Sequence, residues 1–247
     1  MSIIELKTAV LAKNDHLAAA LREDLAAVGA VAVNLLSSPG SGKTALLEIV
    51  LTRLTADGVP VAALTGDLAT ENDAKRLARS GAPVRQVVTD GLCHLEADLV
   101  RDHLAGWLPA GTQLLLVETV GNLVCPASYD LGESLRIVLA SVTEGEDKPV
   151  KYPTAYRWAD LVVLTKIDLA EPCGFDEQAF LDSVAAVNPG VPVVRTSART
   201  GEGVDDLVAR LLAVRPDTRR DDRPDDRPDD TDPARHIEPA ATAGTGR

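Results

Sequence analysis

The sequence predicts an α/β fold: a mostly parallel, doubly wound sheet with helices on both faces and an N-terminal helical extension. Three observations carry this. Short Val- and Leu-rich runs at 31–36, 60–65, 84–89, 113–118, 135–142, 160–165 and 192–197 lack polar alternation, as strands buried on both faces do. Segments of helical period at 43–56, 70–80, 95–105, 151–157, 176–187 and 203–213 separate most of them, which is the strand-helix alternation of a parallel sheet. The first strand runs directly into Ser37-Ser38-Pro39-Gly40-Ser41-Gly42-Lys43-Thr44, a turn of small residues ending at a helix start.

Upstream of that strand, Leu6, Val10, Leu11, Leu17, Leu21, Leu25 and Val28 recur at helical spacing over 3–28, and Gly29 stands where such a helix stops. Asn14-Asp15 predicts a break into two helices, with Asn14 capping the second. Thr70 with Asp73 has the spacing of a capping box, and Ser80-Gly81 gives the following stop. The domains expected are a helical extension at 1–29, a phosphate-loop nucleotide domain at 30–215 and a tail at 216–247. Asp, Arg and Pro dominate the tail, whose one large aliphatic residue is Ile237, so burial cannot offset chain entropy and disorder is expected.

The chain has 247 residues and a net charge of -12, which argues against nucleic acid as a partner because phosphate backbones need clustered Lys and Arg. No apolar stretch approaches bilayer length and Met1-Ser2-Ile3-Ile4-Glu5-Leu6-Lys7 lacks a signal-peptide pattern, so no membrane association and a cytoplasmic location are expected. Three cysteines (Cys93, Cys125, Cys173) in a reducing compartment do not make a disulfide framework.

The phosphate-binding reading of residues 37–44 rests on electrostatics. Successive backbone N–H groups and a helix N-terminus aim positive partial charge at one point. Gly40, Ser41, Gly42, Lys43, Thr44 and Ala45 are the expected cradle, with Lys43 neutralising the outer phosphates and the Thr44 hydroxyl ligating magnesium. Ser37 stands where the usual pattern begins with Gly. In a parallel sheet the residues ending successive strands converge on that loop. Asp67 and Glu118 end two of them and are the expected magnesium carboxylates, while Gly121 can offer its N–H to the terminal phosphate.

Thr165-Lys166-Ile167-Asp168 ends another strand and matches the guanine-recognition tetrapeptide Asn/Thr-Lys-x-Asp. The Asp168 carboxylate suits the ring N–H and exocyclic amine of guanine, whereas adenine would leave it without donors, at a cost of about 1 to 3 kcal/mol or more. Ser197-Ala198, after the next strand, suits the loop that closes over the base. GTP, and GDP after hydrolysis, is the expected nucleotide.

Cys93-His94 opens the helix expected at 95, and Cys125 follows Glu118 by a few residues. Two thiols and an imidazole suit zinc, nickel or copper(I), completed by water or by a second chain. Plain packing of buried thiols is the other reading. Cys173 lies in an expected loop and is assigned no role.

Taken together these stretches resemble the hydrogenase nickel-incorporation GTPases, the HypB family. The resemblance runs through Leu11-Ala12-Lys13-Asn14-Asp15, the loop from Asn34 to Thr44, Gly66-Asp67-Leu68-Ala69-Thr70-Glu71-Asn72-Asp73, Gly91-Leu92-Cys93-His94-Leu95 and Glu118-Thr119-Val120-Gly121-Asn122-Leu123-Val124-Cys125-Pro126. Tyr129-Asp130-Leu131-Gly132-Glu133 and the segment from Ser141 to Pro153 extend it. It implies a GTPase that dimerises around nucleotide, with Lys43, Asp67 and Glu118 in catalysis. It also implies an inter-subunit site for nickel or zinc at Cys93, His94 and Cys125, and nickel delivery to the large subunit of nickel-iron hydrogenase with maturation partner proteins. Many members carry an N-terminal Cys-x-x-Cys-Gly-Cys or His-rich stretch that this chain lacks. The rival readings are a urease accessory GTPase of the UreG type, a metal-storage dimer with structural nucleotide, and a kinase on the same phosphate loop.

Overall fold

The computed structural model describes residues 3–67, 72–89, 91 and 93–215, with backbone alone at 3–5, 7 and 67. The expected tail, Thr70 of the expected capping box and the Asp67 side chain therefore lie outside the described residues. Strands β1 (Val31–Ser37), β2 (Val61–Asp67), β3 (Val84–Val88), β4 (Leu114–Glu118), β5 (Leu135–Ser141), β6 (Leu161–Thr165) and β7 (Val193–Arg195) form one sheet in the order β3-β2-β4-β1-β5-β6-β7. Every neighbouring pair is parallel. These are the seven runs the sequence predicts. All carboxyl ends therefore share one edge, and β1 stands at the point where the winding reverses, between β4 and β5, so its carboxyl end opens into a crevice.

The helices are α1 (Ile3–Ala27), α2 (Lys43–Ala56), α3 (Asn72–Leu77), α4 (Ala97–Leu104), α5 (Lys148–Lys151), α6 (Pro153–Arg157), α7 (Ala170–Cys173), α8 (Glu177–Val187) and α9 (Val204–Leu212). Strand alternation assigns them to faces. Val33, Leu35, Leu116, Ile137 and Val163 meet Leu47, Leu51 and Leu54 of α2 and Leu207 and Leu211 of α9. The alternate residues meet α1 and α4 over one half of the sheet, through Leu21, Leu25 and Val100. Over the other half they meet α6 and α8, through Tyr156, Phe180 and Val184. No described helix is long and apolar enough to cross a membrane.

Two expectations are corrected. α1 is one helix and does not break at Asn14. Asn14 is buried and spends its amide on tertiary partners, so it caps nothing in its own helix. The buried stripe is Asn14, Ala18, Leu21, Arg22 and Leu25, while Leu6, Val10 and Val28 are exposed. The single helix expected at 151–157 is two short ones, because Tyr152 leaves helical geometry ahead of Pro153, which opens α6 at its first position. Gly29 and Gly81 do end their helical segments in the left-handed region, at φ +76° and +81°.

Candidate functional site

The turn after β1 closes through Gly40 (φ 78°) and Gly42 (φ 91°), a backbone that L side chains rarely adopt, and α2 starts at Lys43. Lys43 is buried, and its Nζ donates to Glu118 Oε1 at 3.1 Å and to Thr119 O at 2.5 Å. Thr44 Oγ1 donates to the same Glu118 oxygen at 2.5 Å. Glu118 Oε2 is buried without a partner among the described residues. Gly121 backs onto the loop: a Cβ there would stand 3.1 Å from Pro39 Cα. Lys43, Thr44, Glu118 and Gly121, predicted from separate segments, thus lie at one point on the carboxyl edge.

The segment after β6 joins them from the other side. Thr165 Oγ1 donates to Ser41 O at 2.6 Å, and Lys166, the one non-glycine residue at positive φ among the described residues, sends Nζ to Gly40 O at 2.6 Å. Asp168 accepts from Ser197 Oγ at 2.5 Å through Oδ1 and from Arg199 Nε at 2.8 Å through Oδ2. Those two donors hold its carboxyl below the usual carboxylate range. A cavity of about 370 Å³ lies here, lined by Gly42, Ala45, Thr165, Lys166, Asp168 and Ala198, and also by Glu48, Arg76 and Arg199. Sequence reasoning missed these last three. Arg199 had a signal in standing directly after Ser197-Ala198, but Arg76 and Glu48 had none, since only the packing of α3 on α2 brings their 2.6 Å ion pair to the rim.

The sulfur residues gather nearby, on the loops after β3 and β4. Cys93 Sγ lies 3.8 Å from His94 Nδ1, and hydrogen bonding to Cys125 is the first cause of a raised Cys93 pKa, followed by burial. The His94 ring stacks on Tyr129 with centroids 4.1 Å apart, and its Nε2 meets Glu96 Oε1 at 3.2 Å. A carboxylate on one imidazole nitrogen leaves the other to face the thiols. Among the described residues no three His, Cys, Asp or Glu side chains already form a closed metal site, so a bound ion needs rearrangement or a further donor. Cys173 is exposed and stands apart as a free thiol at the end of α7.

Residues 31–195 match the family model described as CobW/HypB/UreG, nucleotide-binding domain. The hydrogenase maturation factor HypB of Escherichia coli K12 is 46% identical over 204 residues, covering 82% of this chain and 70% of the relative, and that of Azotobacter vinelandii is 43% identical over 207 residues, covering 84% and 68%. The chain belongs to the HypB family. Solved HypB structures share its fold: that of Helicobacter pylori HypB in complex with nickel gives a TM-score of 0.76 at 37% identity, covering 81% of this chain and 94% of that one. HypB from Archaeoglobus fulgidus gives 0.75 at 37% identity over 81% and 98%. A LAO/AO transport system kinase, at 20% identity and a TM-score of 0.54 over 83% of this chain and 69% of its own, shares the fold alone.

Proposed function

We propose that this HypB-family chain is a GTP-hydrolysing metallochaperone that assists nickel insertion into the large subunit of nickel-iron hydrogenase. It acts as a GTP-promoted dimer whose inter-subunit metal site uses Cys93, His94 and Cys125. The observation that carries this reading is the position of Lys43, which reaches across to Thr119 O, six residues before Cys125. A phosphate arriving in the loop competes for the Lys43 ammonium, because charge-assisted bonds to phosphate are stronger than a bond to a neutral carbonyl. The arm from Thr119 to Cys125 is then released or reseated, which changes the spacing of the thiols. Nucleotide state and metal geometry are coupled through one side chain.

In this reading the backbone of Gly40, Ser41, Gly42, Lys43, Thr44 and Ala45 cradles the phosphates, and Gly121 offers its N–H to the terminal one. Thr165 and Lys166 brace the phosphate loop, Asp168 reads guanine, and Ser197 and Ala198 close over the base. The unpartnered Glu118 Oε2 beside Thr44 fits a cation, so Thr44, Glu118 and Asp67 would hold magnesium, which supplies positive charge against the phosphates. Lys43 and Glu118 position the reacting phosphate, and Asp67 completes the carboxylate pair. Nickel is cargo, taken by thiolate and imidazole donors that suit it. Two Helicobacter relatives are named hydrogenase/urease maturation factors, which keeps urease as a second client.

The test is nickel affinity of the full chain with a non-hydrolysable GTP analogue and with GDP, together with mass determination of each form. A difference of at least about fivefold, the lower end of ordinary coupling energies, with a heavier GTP form is expected. Equal affinities rule out coupling and leave a metal store with structural nucleotide.

A further inference from the structure

The Cys93-His94 segment and the Cys125 segment leave the sheet from different strands, and a single side chain on α1 fastens both of them. Asn14 is 3% exposed. Its Oδ1 accepts from Ala97 N at 2.9 Å, three residues after His94, and its Nδ2 donates to Asp130 O at 2.8 Å, five residues after Cys125 and next to the Tyr129 that stacks on His94. Ala97 is the first residue of α4, and the residue before it, Glu96, makes no side-chain cap. Asn14 therefore satisfies an orphan donor at the start of α4 from another element.

The two arms are not equally held without it. The second is pinned by Arg136, a buried guanidinium that donates to Ala127 O at 3.0 Å and Tyr129 O at 2.7 Å and pairs with Glu133. Among the described residues the Cys93–His94 stretch meets the second arm through Cys93 on Cys125 and the His94 ring on Tyr129, and it meets the body through Leu95 packing and through Ala97 N on Asn14. α1 itself is seated against the second arm, with Arg22 on Asp130 at 2.6 Å and Gly132 so close that a Cβ would meet Ala18 O at 2.9 Å.

Resting on the metal reading proposed above, we propose that Asn14 is a positioning residue for the Cys93, His94 and Cys125 cluster, setting the distance between its two arms from the buried face of α1. Partners that orient ligands without touching the ion typically govern affinity by 10- to 100-fold.

The experiment compares Asn14→Ala, Asn14→Asp, Leu25→Ala and the pair Cys93→Ser and Cys125→Ser in the full chain. Leu25→Ala loosens α1 without touching the tie, so it reports mere destabilisation. Nickel affinity is read by chelator competition with the thiolate-to-nickel absorption band, and nucleotide affinity by GDP titration. Asn14→Ala is expected to weaken nickel about tenfold or more and shift the band, with GDP binding changed less than about twofold. Asn14→Asp, which keeps the acceptor for Ala97 N and loses the donor to Asp130 O, is expected between Asn14→Ala and wild type. A metal-free readout separates this idea from the metal reading: the rate at which diamide joins Cys93 to Cys125 in the apo protein, expected to fall in Asn14→Ala but not in Leu25→Ala. If the two Ser variants bind nickel as wild type does, the metal reading fails while a slowed disulfide still supports the positioning role. If both nickel affinity and disulfide rate in Asn14→Ala match those of Leu25→Ala, Asn14 is ordinary packing and the proposal is overturned.

Discussion

Arg199 Nε donates to Asp168 Oδ2 at 2.8 Å, on the carboxylate that is proposed to read guanine. Guanine presents two donors to such a group, so Arg199 occupies part of the edge the base needs and must yield when nucleotide binds. The pair is exposed on the arginine side, and exposed ion pairs contribute little. Arg199→Ala is therefore expected to raise GDP affinity, by no more than about fivefold. Asp168→Asn should lose GTP binding and gain xanthosine triphosphate, since the new amide presents a donor where guanine also has one. Titration of both variants with GDP and the xanthine nucleotide checks this; Asp168→Asn retaining GTP preference would show that the base is read elsewhere.

Because Ser197 and Arg199 hold Asp168 below the usual carboxylate range, it stays ionised in mild acid. A raised folded pKa would instead make guanine binding weaken through pH 5 to 6. GDP affinity measured from pH 8 to 5.5 should carry no loss assignable to Asp168, seen as the same profile for guanine nucleotide in wild type and in Ser197→Ala.

Lys43 is expected to matter to stability as well as to turnover. Glu118 is 1% exposed, and Lys43 is the cation on it. Removing one partner of a buried pair leaves an uncompensated charge and costs about 3–5 kcal/mol. Lys43→Ala should abolish GTP hydrolysis and lower the urea midpoint of the nucleotide-free protein. Adding Glu118→Gln should restore much of the stability and none of the turnover. If Lys43→Ala unfolds at the wild-type midpoint, the pair does not stabilise the empty site.

What the sequence made legible follows from which forces are local. The inner strands were readable because residues buried on both faces leave an apolar run, as in Leu114-Leu115-Leu116-Val117, whereas the edge strands β3, which carries Arg85 and Gln86, and β7, which ends at Arg195, were readable from their Val pairs between helical segments. Lys43 and Asp168 were readable because each sits in a short motif at a strand end, and parallel topology then brings strand ends together. Asn14 was misread because its amide has equal local chemistry as a helix cap, and only α4 and the 129–134 loop, 83 and 116 positions away, decide its partners. Arg76 and Glu48 were invisible for the same reason. The split at Tyr152 was foreseeable from Pro153, whose ring disfavours helical geometry in the residue before it.

Gly121 tests the contact between the β4 arm and the phosphate loop. A Cβ there would lie 3.1 Å from Pro39 Cα and 3.2 Å from Pro39 N, backbone atoms that cannot swing aside as a side-chain tip can. Gly121→Ala must push the arm or the loop by a few tenths of an ångström. Positioning errors of this kind at a phosphate cradle reduce binding and turnover together. GDP affinity is expected to fall about tenfold while the thermal midpoint changes little; wild-type affinity in Gly121→Ala would mean the arm is free to move away.

Asp130 gives the pH dependence its sign. Burial first, then the Glu133 carboxylate, push it up to about 6, against the opposing pull of Arg22 and Arg136. Its side chain keeps 30% exposure, so water moderates the effect. Unfolded, the carboxyl titrates near 3.9. The folded chain therefore binds this proton more tightly, and the associated stability is complete below about pH 4 and lost as pH rises through 6. Asp130→Asn removes the titration while keeping an oxygen for the Gly132 N–H, which Asp130 Oδ1 now accepts at 2.8 Å. Asp130 and Glu133 raise one another, so the difference between the two unfolding free energies reports the titration of this carboxylate pair. Urea denaturation from pH 4 to 7.5 should show wild type losing on the order of 2 kcal/mol relative to Asp130→Asn. Parallel curves would place Asp130 in water and leave the Arg22 pair as an ordinary surface contact.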